Sequence, residues 1–125
     1  MAASKTSSTR PPKVDLRAPT IAWPTLLLFI VAASIWALSV VLASAGQLAW
    51  GWAIVINFMA AFAAFTPLHD ATHQSVARAK WINKLVGRLS ATILLSPFTA
   101  FRFVHLEHHK HTNHDHKDPD MWSGR

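Results

Sequence analysis

Residues 21–68 read IAWPTLLLFIVAASIWALSVVLASAGQLAWGWAIVINFMAAFAAFTPL, 48 consecutive positions without one Asp, Glu, Lys or Arg. A soluble chain of 125 residues has too small a core to hide such a run. A bilayer has room for it. Pro24 to Ala45 supplies 22 apolar or small residues, about 33 Å as a helix, enough to cross ~30 Å of hydrocarbon. Gly46-Gln47 interrupts the pattern, and Leu48 to Leu68 supplies a second span of 21. Trp23, Trp50 and Trp52 fall near the span ends, where indole rings favour the interface. Ala43-Ser44-Ala45 has the A-x-A form of a signal-peptide cleavage site. The apolar run is too long for a signal peptide, however, and a second span follows at once.

Residues 1–20 are rich in Ser, Thr, Lys and Pro, show no periodic apolar face, and read as a mobile cytosolic arm. The net charge of +6 first suggests nucleic acid. Its distribution argues otherwise. Lys5, Arg10, Lys13 and Arg17 precede the apolar stretch, while Arg78, Lys80, Lys84 and Arg88 follow it. Cations flanking spans are what a cytosolic orientation requires, and no groove-reading motif accompanies them. With no cysteine there is no thiolate zinc site, no Cys-ligated cluster and no cysteine nucleophile.

Beyond the second span the period changes. Between Lys80 and Leu89, the residues Trp81, Ile82, Leu85, Val86 and Leu89 share one side of a helical wheel. Lys80, Asn83, Lys84, Gly87 and Arg88 take the other, as expected of a helix over about 79–89 lying in the membrane surface. Leu89 to Phe101 is an uncharged run of 13 residues containing Pro97. At ~20 Å it is too short to cross, so it should dip into the membrane and return. The His-rich segment 102–125 then lies on the same side as everything before Arg88, and both termini are expected in the cytosol. The expected fold class is all-α: an integral membrane hairpin of spans at about 24–45 and 48–68, an interfacial amphipathic helix, and a short re-entrant segment 89–101.

Two histidine groups carry the chemistry. His69-Asp70-Ala71-Thr72-His73 ends the second span, and on a continuing helix positions i and i+4 point the same way. His105-Leu106-Glu107-His108-His109 repeats the arrangement at i, i+3 and i+4, with His111, His114 and His116 following. The topology puts both groups at the cytosolic membrane surface. Five aligned imidazoles exceed the four ligands of one zinc, and imidazole suits iron, zinc, copper and nickel alike.

These residues resemble the first two histidine boxes of the integral-membrane fatty acid desaturase superfamily, which includes carotenoid hydroxylases and ketolases. The similarity runs from Pro24 to about Trp122 through HDATHQS, FRFVHLEHHKHTN and Asp118-Pro119-Asp120. It implies two non-haem irons held by His69, His73, His105, His108 and His109, O2 as oxidant, and an external ferredoxin- or cytochrome-type electron donor. Asp70, Glu107 and His111 would orient ligands or carry surface charge rather than bind metal. Members of the family have two further spans and a third histidine box. The chain is therefore expected to be the N-terminal part of a four-span protein, inactive until a C-terminal half or a second polypeptide completes it.

The resemblance implies oxidation of a membrane lipid or acyl chain, with a fatty acid desaturase as the first expectation and a carotenoid hydroxylase or ketolase as the alternative. A non-enzymatic membrane metal-binding or transport protein is the rival from another class. Transport calls for ionisable groups inside the spans, and these offer only Asn57 with a few Ser and Thr.

Overall fold

The computed structural model describes residues 18–122, so the arm at 1–17 lies outside the described residues. Five helices follow in order: α1 Trp23–Ser44, α2 Trp50–Thr72, α3 Lys80–Ile93, α4 Phe98–His111 and α5 Pro119–Trp122. Among the described residues the only β-type pairing is one antiparallel bridge, Ile21 with Ala77. The described residues form an all-helical fold, with two helices among them long and apolar enough to cross a membrane and a bent pair, α3 and α4, meeting at 103°.

The two long helices pack as helices do in lipid rather than in water. Their buried residues are small: Ala32, Ser39 and Ala43 on α1, with Ala53, Ala60 and Ala64 on α2. Small side chains let the backbones approach closely, which matters where lipid removes the hydrophobic drive for association. Large apolar residues such as Leu38, Ile54, Phe58 and Phe62 point outward. Midway along the pair a polar link crosses the interface, Ser39 Oγ donating to Asn57 Oδ1 at 3.0 Å.

Pro24 sits in the first turn of α1, where its missing N–H is no loss. Gly46, at φ +72°, closes the helix in the left-handed region that glycine enters freely. α2 carries Pro67 inside it, yet runs on through His69 to Thr72, with His73 as its C-cap.

α3 departs from the two-sided wheel drawn from sequence. Asn83 and Gly87 do not face solvent; they are buried with Val86, Ser90 and Ala91. Trp81, Leu85 and Leu89 remain exposed. The helix thus has three stripes: small and amide residues inward, basic residues on one flank, apolar residues outward. Asn83 explains the change. Its Oδ1 accepts from the N–H groups of Val76 and Ala77 at 3.0 and 3.4 Å. Its Nδ2 donates to the carbonyls of Ala77 and Ala79 at 2.6 and 3.2 Å. The same loop receives α1, because Ala22 N–H donates to Val76 O at 2.7 Å.

The apolar run 89–101 is not one element. Its first residues complete α3, a corner forms over 94–97 with Leu95 at φ +54°, and its last residues begin α4. Pro97 is the α4 N-cap, and the Phe98 ring packs where a side chain at Gly87 would otherwise stand.

Asn83→Ala leaves the buried Val76 and Ala77 N–H groups unpaired, at about 1–3 kcal/mol each. Gly87→Leu displaces Phe98, with over-packing of about 1–3 kcal/mol. Both should lower the midpoint of unfolding in an SDS titration of the micelle-bound chain. Leu85→Ala on the outward face should leave it nearly unchanged.

Candidate metal centre

α2 delivers His69 from its last turn and His73 from its C-cap, while α4 delivers His105 and His109 one turn apart. One ring nitrogen from each of these four lies within 4.8 Å of all the others. His105 Nε2 is 2.9 Å from His73 Nε2 and 3.0 Å from His109 Nε2. Three ring nitrogens at that spacing cannot all carry protons. Lone pairs must face protons, or a cation must take the protons' place.

Apolar rings close one side. Phe101 stacks on His105 with centroids 5.6 Å apart and planes 7° from parallel. Phe65 lies 6.2 Å from His69 and meets Phe101 edge-on. The electrostatics disfavour the charged form of His105 and His73. His105 is held down to about 4, first by burial and then by His69, His109, His73 and His108 around it. His73 is lowered by burial and by His69 and His109, with Asp70 opposing. A neutral imidazole offers the lone pair that a metal needs, so this donor set fits a cation that accepts nitrogen ligands.

His108 goes elsewhere. From His105, position i+4 is displaced by about +40° and position i+3 by about −60°. His109 therefore turns toward α2 and His108 toward the chain beyond α4. There His108 Nδ1–H donates to Asp118 Oδ1 at 2.8 Å and lies 3.2 Å from Asp120 Oδ2. These three form a second grouping able to hold a metal. Asp118 is only 1% exposed, and accepts from the N–H groups of Asn113 and Asp120 at 2.9 and 3.0 Å. Burial alone would raise its carboxyl; the His108 ring and the two N–H donors more than offset this and hold it below the usual range. The hydrogen bond to Asp118 raises His108 in turn, with burial opposing and the charges of Asp118 and Asp120 assisting. In the neutral ring, with Nδ1 committed as donor, the lone pair of His108 falls on Nε2, and the ring stands 5.7 Å from that of His109.

The three accessory residues also fall into place. Asp70 accepts from Thr25 Oγ1 at 2.6 Å, tying α1 to the end of α2, and lies 3.8 Å from His69 Nδ1. Glu107 faces Lys110 and His111, each at 3.6 Å, and takes no part in the four-histidine group. Sequence reasoning missed Asp118 as the partner of His108. The D-P-D signal was visible, but the turn that folds it back was not.

The low value of His105 has a consequence for stability. Between about pH 4 and the usual 6.5, unfolded His105 binds a proton that the folded one rejects, so stability rises with pH across that window. Above 6.5 the sign reverses for His108, whose raised value means that its bond to Asp118 weakens as pH rises. The metal-free chain should lose thermal stability below pH 6.5, and His105→Gln should flatten that acid limb. An unchanged acid limb in the variant would contradict the burial of a neutral His105.

Comparison with known proteins identifies the family of the sequence that carries these histidines. The family model for fatty acid desaturase matches residues 46–125, which contain all eight histidines. The sn-1 oleoyl-lipid 12-desaturase of Anabaena variabilis is 35% identical over 92 residues, 74% of this chain and 26% of that protein. The same-named enzyme of Synechocystis is 42% identical over 62 residues, 48% of this chain and 18% of that protein. The sn-1 acyl-lipid omega-3 desaturase (ferredoxin) of Nostoc sp. (strain 36) is 42% identical over 61 residues, 49% of this chain and 17% of that protein. The chain thus spans about a quarter or less of the length of these curated relatives. No solved structure matches it. With more than half of its length under the family model and both histidine groups inside the match, the chain belongs to the fatty acid desaturase family.

Proposed function

We propose that this chain supplies the first part of a membrane desaturase that introduces a double bond into a lipid-linked acyl chain. The convergence of four imidazole nitrogens within 4.8 Å at the end of a span supports this most directly. The names of the relatives favour desaturation over hydroxylation or ketolation. His69, His73, His105 and His109 would hold non-haem iron, with His108 as the fifth ligand and two irons in the complete centre. Iron held there would, with O2, two electrons and two protons, supply the power to take two hydrogens from neighbouring methylenes, leaving an alkene and two waters.

The chain's own residues do the placing. Phe65 and Phe101 wall the imidazoles with apolar surface, which excludes water from that side. An apolar trough of about 530 Å³ along α2, lined by Phe58, Phe62, Phe65 and Leu95, leads from lipid toward the same Phe65. An acyl chain fits such a surface. Asp118 holds the Nδ1 proton of His108 and so fixes its tautomer. The electron donor would be of the ferredoxin class, as the name of the Nostoc relative suggests for that protein.

Both histidine groups would face the cytosol. The chain has no native cysteine, so single-cysteine labelling reads this cleanly. An impermeant maleimide should reach Lys117→Cys only from the cytosolic side and Gln47→Cys only from the opposite side. Labelling of both from one side would sink the topology.

In the complete enzyme, His→Ala at 69, 73, 105, 108 or 109 should abolish turnover and lower bound iron, whereas His116→Ala should be mild. Asp118→Asn, which spares volume but weakens the hold on His108, should reduce iron affinity roughly 10–100-fold. Retained iron and turnover in His73→Ala or His109→Ala would refute the ligand assignment.

A further inference from the structure

The concave side of the α3–α4 corner holds a cavity of about 530 Å³, whose lining includes none of the histidines. Lys80, Lys84 and Arg88 line it from α3, and Arg102 lines it from α4. The α3 cations recur at i, i+4 and i+8, so they form one stripe along the helix. Among the described residues none of the four has an ion-pair partner. Glu107 also borders the cavity, but Lys110 and His111 already flank its carboxylate. Orientation in a membrane calls for cations beside the spans. It does not call for four of them to converge on one cavity, where their mutual repulsion goes unrelieved without an anion.

Depth and shape narrow the anion. The stripe next to the cations is Trp81, Leu85 and Leu89, exposed and apolar, which places α3 at the boundary of hydrocarbon and headgroups. A concave pocket of this size accepts a small group, whereas an acidic protein would need a broad face. Arg88 and Arg102 offer planar forks suited to phosphate oxygens. We propose that this corner binds a net-anionic phosphate group at the membrane surface, the headgroup of an acidic phospholipid or inorganic phosphate. None of the histidines lines the cavity, and the proposal does not depend on the proposed activity.

The test uses residues 1–125 purified in mild detergent, with bound lipid counted by intact-complex mass spectrometry. Phosphatidylglycerol, phosphatidylcholine and inorganic phosphate are the three probes. Phosphatidylglycerol should be retained at one per chain and phosphatidylcholine lost. The variant Lys84→Gln/Arg88→Gln/Arg102→Gln should retain phosphatidylglycerol at least roughly tenfold less well, with helicity by circular dichroism unchanged. Lys117→Gln, a cation outside the cavity, should behave as the parent chain. Binding of inorganic phosphate that is lost in the triple variant supports the site with the free anion as its source. Equal retention of the two lipids, undiminished phosphatidylglycerol in the triple variant, or no binding of any probe overturns the proposal.

Discussion

Four hydrogen bonds converge on the side chain of Asn83, and the position of every later element follows from them. A buried amide that satisfies both its oxygen and its nitrogen leaves the loop between α2 and α3 one conformation rather than several. That loop also holds Ala22 at the start of α1, so one polar knot sets the relation of three helices. α3 then leaves at a fixed angle, and the Gly87–Phe98 contact turns the chain into α4. Only from that corner can α4 bring His105 and His109 against the end of α2. The four-histidine group is thus placed by a residue that hydrogen-bonds none of its members.

Within the centre, the same crowding that defines the geometry also sets the charge. Each imidazole raises the cost of protonating its neighbours, and partial burial removes the water that would stabilise the cation. The outcome is that His105 and His73 offer lone pairs rather than charge at neutral pH. His108 differs because a carboxylate rather than another imidazole faces it, which favours the charged ring. Two histidines on adjacent positions of one helix therefore have opposite environments, and the division follows from the ~100° between them.

How much of this was legible in the sequence depends on how local the cause is. The spans were readable because lipid accepts no unpaired charge, and 48 positions without one leave few alternatives. The pairing of His69 with His73 and of His105 with His109 was readable because i and i+4 share a face on any helix. The inward turn of Asn83 and Gly87 was not. On a wheel they are polar and small, hence assigned to solvent; their burial depends on a loop and an aromatic ring from other elements. The end of α3 was misplaced for the same reason, since an uncharged run does not reveal where its corner falls. The link from His108 to Asp118 spans ten residues through an irregular turn, and no period encodes it.

The membrane surface imposes a final division of labour on α4. A helix at that boundary meets three surroundings at once: protein, hydrocarbon and charged headgroups. α3 and α4 are the only long described helices whose polar and apolar residues alternate finely enough to face all three. On α4 the histidines take the side toward α2, where Phe65 and Phe101 cover one side of the group while His73 and His109 stay exposed. Arg102 takes the neighbouring flank, where it faces the α3 cations across the corner. It lies about 60° of azimuth from His105 but only about 20° from His109, seven residues on. The separation is therefore partial, and the Arg102 charge is among the causes that lower His73. One short helix thus carries both groups with overlapping fields, and a cation that borders the α3–α4 cavity also helps to disfavour a charged imidazole in the four-histidine group.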